Sequence, residues 1–209
     1  MDERILVVGL GGSIAPVSRS REALRVALRG AEDAGAATEL LALNELDLPL
    51  YRPDHGPPPP DVLRVCETVA AAQGLLWASP MYHGTVSGAF KNALDWLQLL
   101  ADRKPPFLTD KVVGLISTAG GTQGLQAVNT MDFIARALRA WTVPLVIPVP
   151  EVWRTFDEQA RLVDEGVEVL LRALGGEVAS AARRFAAAAP LTDAAAQAGE
   201  AELQPLEET

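Results

Sequence analysis

The sequence predicts an α/β fold in which helices cover both faces of a five-stranded parallel sheet. Short apolar runs of strand length alternate along the chain with longer stretches of helical periodicity, which is typical of a parallel sheet buried on both sides. The 209 residues, of which 49 % are hydrophobic, are enough to bury the core of one such domain. Because crossovers are right-handed, few topologies remain, and the strand order 2-1-3-4-5 is a leading candidate.

The charge and the cysteine content narrow the class of protein. The chain carries 18 basic and 27 acidic side chains, a net charge of −9, and no cluster of Lys or Arg forms the basic face of a nucleic-acid binder. No apolar run approaches the ~20 residues that cross a bilayer, and the start of the chain lacks a signal peptide's basic region and cleavage site. The single cysteine, Cys66, cannot form an internal disulfide. We therefore expect a cytoplasmic protein with no nucleic-acid or membrane partner.

The first part of the chain predicts two strands, one helix and a long surface loop. Residues 5–8 are apolar without interruption, which suits a strand buried on both faces. Apolar residues spaced three and four apart predict a helix at 19–34, and 39–43 is the second strand. Four consecutive prolines at 57–60 cannot form a helix or donate ladder hydrogen bonds, so the segment around them predicts a surface loop.

The rest of the chain continues the alternation of helix and strand. Asp61 is the expected cap of a helix that runs to about residue 72. The predicted domain covers residues 1–189, and 190–209, with five acidic and no basic residues, predicts a flexible tail rich in alanine. The elements expected in between are strands at 74–78, 111–117 and 145–149, and helices at 86–100, 125–141 and 157–174. Residues 177–189 either extend the last helix or form another after it.

The loop after the first strand, at 9–20, reads Gly-Leu-Gly-Gly-Ser-Ile-Ala-Pro-Val-Ser-Arg-Ser. It is not a dinucleotide fingerprint, because Ile14 stands where the third glycine is needed, and it has no Gly-Lys-Ser/Thr ending of a P-loop. A hydrolase elbow also fails, because Ala15 replaces its last glycine. The loop does precede a helix, and in such a sheet ligands bind beyond the carboxyl ends of the strands.

Three hydroxyls and one cation in this loop suit a phosphate monoester. Ser13, Ser18 and Ser20 can donate hydrogen bonds to phosphate oxygens, and backbone N–H groups at the helix start point at the anion. Arg19 adds a positive charge. The alternative is that Ser18 or Ser20 only caps the helix.

Residues 79–96 read Ser-Pro-Met-Tyr-His-Gly-Thr-Val-Ser-Gly-Ala-Phe-Lys-Asn-Ala-Leu-Asp-Trp and resemble the signature of the NADPH-dependent FMN reductase family. The resemblance covers about residues 5–174, including Leu-Pro-Leu-Tyr at 48–51 and Thr-Ala-Gly-Gly-Thr-Gln-Gly at 118–124. It implies a flavodoxin-like three-layer sandwich, FMN as cofactor, NADPH or NADH as co-substrate, and a homodimer or homotetramer.

The resemblance also implies which residues hold the flavin. Many members place an arginine two residues after the Gly-Ser pair, where this chain has Ala15, so Arg19 is the loop's only cation. The phosphate loop then comprises Ser13, Ser18, Arg19 and Ser20; the loop along the isoalloxazine ring comprises Pro80, Met81, Tyr82, His83 and Gly84; and the loop at the pyrimidine end includes Thr118, Ala119, Gly120, Gly121 and Gln123.

The residue types agree with this implied site. Pro80 turns the chain away from its strand, and Gly120 and Gly121 allow the backbone to approach a flat ring. No side chain has to act as acid or base, because a flavin carries the hydride chemistry. His83 is a candidate substrate contact or a plain surface histidine, and His55 is expected to be solvated. No metal site is predicted.

Three functions remain open from the sequence. The first is an oxidoreductase that passes electrons from NAD(P)H through FMN to free flavin, a quinone, an azo compound or a metal oxyanion. The second is a flavodoxin-type electron carrier or a flavin-binding module that does not oxidise nicotinamide. The third, a hydrolase using Ser13, lacks a suitable histidine. Arg52, Arg103 and Arg154 are candidates for the 2′-phosphate of NADPH, and Trp153 for a border of the nicotinamide site.

Overall fold

The strands and helices follow the order that the periodicity indicates. The structure, a computed structural model, describes residues 4–54 and 56–188, so His55 and the predicted tail 190–209 lie outside the described residues. The strands are β1 (Leu6–Gly11), β2 (Ala37–Ala42), β3 (Gly74–Tyr82), β4 (Thr85–Val86), β5 (Val112–Thr118) and β6 (Trp141–Val149). The helices are α1 (Arg19–Asp33), α2 (Pro60–Ala71), α3 (Gly88–Trp96), α4 (Leu125–Ala137), α5 (Val152–Thr155) and α6 (Glu165–Ala187).

Five strands pair in parallel in the order β2-β1-β3-β5-β6. The register of the central pairs places Val8 beside Leu75 and Leu76 beside Gly114. Since β5 and β6 are the fourth and fifth strands of the parallel set, the predicted order 2-1-3-4-5 is confirmed. The winding direction reverses between β1 and β3, which puts the ligand edge of the sheet at their carboxyl ends.

Strand β4 was not expected from the sequence. It pairs antiparallel with the end of β3, matching Tyr82 with Thr85. The two residues between them, His83 and Gly84, have positive φ values of 50° and 83°, which is the backbone of a two-residue hairpin turn. Pro80 does not end the strand as predicted, because its extended backbone stays in register with Thr118 of β5.

Two hydrophobic layers explain the unbroken apolar strands. In β3, Leu75 and Trp77 pack on the side of α2, α3 and α4, whereas Leu76 and Ala78 pack on the side of α1 and α6. All four side chains are fully buried. A strand covered on both faces needs apolar residues at every position, not at every second one.

Two helix starts differ from the prediction. Asp61 does not cap α2, which begins one residue earlier with Pro60 at its first turn, where a missing N–H costs nothing. The Asp61 carboxylate instead accepts a hydrogen bond from Asp47 N at 2.8 Å. Helix α6 begins at Glu165, capped by Asp164, and not at 157.

The ends of the last two long helices also differ. Helix α4 stops at Ala137 and not at Trp141, which opens β6. Arg139 takes a left-handed conformation with φ 67°, and such a residue ends a helix. At the other end of the domain, α6 continues through Ala187, so the expected extension beyond residue 174 is part of one helix.

The motif residues on α3 hold the loop that precedes α2. The Asn92 side-chain amide donates to the carbonyls of Leu48 and Pro49 at 3.1 and 3.0 Å, and Tyr51 N donates to its oxygen at 2.8 Å. Trp96 Nε1 donates to the Pro49 carbonyl at 2.8 Å and packs edge-on against the Tyr51 ring. The conformation of the Leu-Pro-Leu-Tyr stretch is therefore set by α3.

Cys66 is buried, and we expect it to react slowly. Its thiol donates to the Trp96 carbonyl, and burial raises its pKa to about 11. At pH 7.5 its thiolate fraction is then about 300-fold below that of a free cysteine. Iodoacetamide should label the native chain far more slowly than the chain unfolded in urea, as followed by mass spectrometry. Equal labelling rates would show that the thiol is accessible and normal.

Lys111 should make stability rise with pH in the alkaline range. Its Nζ donates to the carbonyls of Ala70 and Ala72, and burial, helped by Arg103, lowers its pKa to about 8. Between this value and the ~10.4 of an unfolded chain, the unfolded state binds more protons, so the free energy of unfolding increases with pH.

The measurement is urea unfolding at pH 8 and pH 10 for the wild type and Lys111→Met. Between pH 8 and pH 10, the free energy of unfolding of the wild type should increase by on the order of 1 kcal/mol relative to that of the variant. Parallel pH profiles of the two proteins would refute the lowered pKa.

Candidate functional site

A hollow of about 180 Å³ lies at the carboxyl ends of β1, β3 and β5. It brings together the three loops that the sequence singled out. Nine predicted site residues line it, namely Ser13, Ser18, Arg19, Ser20, Pro80, Met81, Tyr82, Thr118 and Gly120; the other five, which are His83, Gly84, Ala119, Gly121 and Gln123, do not. Ala15, Val17 and Val152 complete the wall and were not predicted.

A larger hollow, of about 440 Å³, opens at the opposite edge of the sheet. It contains Arg4 and Arg183, whose guanidinium groups donate to the carbonyls of residues 34–36. This edge holds the amino ends of the strands, where ligands of open parallel sheets do not bind. The smaller hollow is therefore the candidate site.

The phosphate loop begins where β1 comes very close to β3. Gly12 N donates to the Ala78 carbonyl at 2.9 Å. A Cβ built on Gly11, whose φ is 143°, would lie 2.0 Å from that same oxygen. Only glycine fits there, and the chain can then turn out of the sheet toward α1.

Ser18 caps α1, as the alternative interpretation of the loop proposed. Its Oγ accepts hydrogen bonds from Arg21 N at 3.2 Å and from Ser13 N at 3.1 Å. It also lies 3.2 Å from the hydroxyl of Ser20. Both hydroxyls are buried. Capping fixes the loop around the hollow and uses only the acceptor side of the Ser18 hydroxyl, so the hydroxyls of Ser13, Ser18 and Ser20 can still donate to a bound anion.

Arg19 carries a buried nitrogen that nothing in the described part of the chain satisfies. Its Nε is buried without a hydrogen-bond partner, and the only other buried side-chain nitrogen of this kind among the described residues is Trp77 Nε1, in the core. An unpaired buried donor costs about 1–3 kcal/mol, and more for a charged group. An anionic oxygen in the hollow would remove that cost. The residues therefore fit a bound phosphate.

The hairpin forms the second wall of the hollow. Ser79 Oγ accepts from Ser87 N at 2.9 Å and donates to the Pro80 carbonyl at 2.9 Å, which ties the base of the hairpin to the start of α3. Tyr82 lies at the rim with about half of its surface exposed. His83 lies at the exposed tip of the turn and outside the lining of the hollow.

The third wall is the loop after β5, which is bonded to the segment after β6. Ala119 N donates to the Val149 carbonyl and Val152 N to the Ala119 carbonyl, at 2.9 and 3.1 Å. Thr118 is buried. A Cβ built on Gly120 would meet no protein atom within 4 Å. The wall is thus rigid in its backbone, yet it leaves open space at Gly120 for a ligand.

The hollow contains little that can transfer a proton. Arg19 and Tyr82 are the only titratable side chains that line it. Within residues 4–54 and 56–188, no three His, Cys, Asp or Glu side chains gather to hold a metal ion, and none of the helices described there is long and apolar enough to cross a bilayer. The arrangement can bind an anion and a flat ring, and redox chemistry would have to come from a cofactor.

Comparison with known proteins supports this interpretation. The family model of NADPH-dependent FMN reductases matches residues 5–154. The NADPH-dependent FMN reductase ArsH of Acidithiobacillus ferrooxidans is 35 % identical over 76 % of this chain, which spans only 65 % of that protein. An NADPH:quinone oxidoreductase of Arabidopsis thaliana is 30 % identical over 77 % of this chain and 83 % of that protein.

A solved structure agrees with the fold. The crystal structure of a WrbA-like flavodoxin from Agrobacterium tumefaciens superposes with a TM-score of 0.62 at 19 % identity, covering 88 % of this chain and 99 % of that chain. The family model and the reductase relative confirm the resemblance seen in residues 79–96. The chain has a flavodoxin-like fold and belongs to the NADPH-dependent FMN reductase family.

Proposed function

We propose that this protein binds FMN in the hollow and uses NADPH or NADH to reduce a small-molecule acceptor. The observation that carries the proposal is the buried, unpaired Nε of Arg19 at the mouth of a capped helix. Such a donor suits a phosphate monoester, which FMN has and riboflavin lacks. Family membership supplies the rest of the argument.

Each wall of the hollow has a proposed task. Ser13, Ser18, Arg19 and Ser20 hold the phosphate. The segment from Pro80 to Tyr82, with His83 and Gly84 closing its turn, supports the ring, and Thr118, Ala119, Gly120, Gly121 and Gln123 form the loop at its pyrimidine end. Bound FMN supplies hydride and electron transfer.

The chain's own residues orient the ring and limit access of water to it. Backbone N–H groups of the loops at the sheet edge provide fixed dipoles for negative charge, without a side-chain acid or base. Tyr82 at the rim covers part of the hollow and supplies an aromatic face for stacking.

The acceptor is proposed as a class. Free flavin, a quinone, an azo compound and a metal oxyanion all accept electrons from reduced flavin. A quinone has the support of the plant relative, which is named for that activity and is 30 % identical. The exposed Tyr82 and Val17 around the hollow offer apolar surface to a flat aromatic acceptor.

We also propose a homodimer or homotetramer. Leu125 and Phe133 of α4 and Tyr82 of the hairpin expose half or more of their surface, and a second copy would cover these side chains. Light scattering after gel filtration measures the mass directly, and a monomer at micromolar concentration would contradict this part of the proposal.

The proposed activity is tested by adding NADPH or NADH to the FMN-loaded protein without oxygen. The visible absorbance of the flavin should bleach within seconds and return when a quinone or oxygen is added. Flavin that binds but stays oxidised would contradict the reductase and leave a flavodoxin-type carrier. Absence of FMN binding would contradict both.

Arg19→Gln should weaken FMN binding and spare riboflavin binding. Loss of a charge-assisted hydrogen bond to phosphate costs about 1.5–3 kcal/mol, so we expect the Kd of FMN to rise about 10- to 100-fold. Fluorescence titration measures both ligands. Arg136→Gln is the matched control, because Arg136 is exposed on α4 and, among the described residues, its side chain pairs with Asp132 alone. Equal losses for FMN and riboflavin would refute a phosphate contact.

A further inference from the structure

A second polar hollow, of about 230 Å³, adjoins the candidate flavin site. It lies between the first turns of α1 and the turn at 157–161, and three arginines line it: Arg21, Arg25 and Arg161. Val17 and Ser18 line both hollows. A nucleotide that lies against a flavin in the first hollow can therefore extend into the second.

Two of the three arginines are held in place by neutral and acidic partners. Arg21 donates to Asn44 Oδ1 at 2.8 Å and to the Pro16 carbonyl at 2.9 Å, with Glu45 at 3.8 Å. Arg161 pairs with Asp157 at 3.0 Å and donates to Gln159 at 3.2 Å. Each guanidinium has five N–H groups, so donors remain for a ligand.

Arg25 is exposed and has no hydrogen-bond or ion-pair partner in the described part of the chain. The one acidic side chain in the wall is Glu22, and its carboxylate lies 3.7 Å from Arg29. The negative charge of Glu22 is thus offset by an arginine outside the hollow. In a chain with a net charge of −9, three arginines around one hollow form a local site for an anion.

The turn that carries Arg161 is well ordered by its own hydrogen bonds. Asp157 Oδ1 accepts from Gln159 N at 3.0 Å and from Arg161 N at 2.8 Å, and Asp157 N donates to the Arg161 carbonyl at 2.9 Å. Phe156 and Leu162 pair across its base. Arg161 is therefore held beside α1 by a fixed turn, although it lies 136 positions after Arg25 in the sequence.

We propose that this second hollow binds the 2′-phosphate of NADPH. The inference rests on the proposed function, because a reductant whose nicotinamide reaches the flavin hollow can extend its adenosine end past Val17. Planar guanidinium groups bind phosphate monoesters through paired hydrogen bonds. NADH lacks this phosphate, so the hollow would set the preference between the two nucleotides.

The arginines expected from the sequence are engaged elsewhere. Arg52 pairs with Asp54 and Arg103 with Glu67. Arg154 pairs with Glu151 and stacks over the Trp153 ring at 5.0 Å. None of the three lines either hollow. Because Arg154 follows Val152 of the flavin hollow, it is the competing candidate and belongs in the test.

The test compares the binding of adenosine 2′,5′-bisphosphate and adenosine 5′-monophosphate to the full-length protein by calorimetry. We expect the wild type to bind the bisphosphate at least tenfold more tightly. Each of the variants Arg25→Gln and Arg161→Gln should lower the ratio of the two affinities about tenfold. Arg154→Gln and Arg136→Gln should leave it unchanged, and unchanged thermal unfolding shows that each variant is folded.

Steady-state kinetics adds a second readout. The KM for NADPH should rise about tenfold in Arg25→Gln, while the KM for NADH stays the same. The arginines could also bind the phosphate of a free FMN molecule that serves as electron acceptor, because it is a phosphate monoester like the 2′-phosphate of NADPH. Rates with free FMN and with riboflavin as acceptor are therefore compared. If Arg25→Gln raises only the KM for free FMN, the hollow binds the acceptor and the proposal is overturned.

Two further results would also overturn it. One is equal affinity of the wild type for the bisphosphate and the monophosphate. The other is loss of the preference in Arg154→Gln but not in Arg25→Gln. The phosphate site and the reductase activity are tested by different results. Tight binding of the bisphosphate that depends on Arg25 supports the phosphate site, even if NADPH does not bleach the flavin and the proposed reductase fails.

Discussion

The close approach of β1 to β3 is the constraint on which the site depends. A Cβ at Gly11 would lie 2.0 Å from the Ala78 carbonyl, which Gly12 N contacts at 2.9 Å. The chain can leave the sheet at the point where its winding reverses because these positions have no side chain. The phosphate loop, the Ser18 cap and the direction of Arg19 all follow from that exit. A larger residue at Gly11 would displace β1 or β3 and with them two of the three walls of the hollow.

The two hollows at the ligand edge of the sheet differ in the number of charged side chains that line them. Among the described residues, the proposed flavin hollow is lined by one cation, Arg19, whose Nε is buried, and by one other titratable side chain, Tyr82. Such a site binds and orients, and its cofactor does the chemistry. The adjoining hollow is rich in arginine and lacks the aromatic wall, which suits recognition of a charged group and not of a ring. In the proposed account, NADPH would attach at two points, with its nicotinamide at the flavin and its 2′-phosphate at the arginines.

The sequence predicted those parts of the fold that local patterns determine. Apolar runs and their spacing predicted the parallel strands, and right-handed crossovers made their order a leading candidate. Of the nine predicted residues that line the hollow, the four in the phosphate loop were indicated by their residue types, and the other five by resemblance to the family. The hairpin was missed because Pro80 and Gly84 each signal an end, whereas pairing with Thr118 of β5 carries β3 on to Tyr82. The periodicity predicts helix at 157–161, where the structure has a turn, because the hydrogen bonds of the Asp157 side chain that form this turn leave no periodic signal in the sequence.

The second hollow could not be predicted for a different reason. Arg25 and Arg161 line the same hollow only because α1 lies beside the turn that precedes α6, and no spacing in the sequence indicates that proximity. The central claim remains that Arg19 holds a phosphate. Its most direct test is the ¹H–¹⁵N signal of the Arg19 Nε–H group, assigned by its loss in Arg19→Gln. Adding FMN should shift this signal downfield while riboflavin leaves it in place. An unchanged signal with bound FMN, or the same shift with both flavins, would contradict the account.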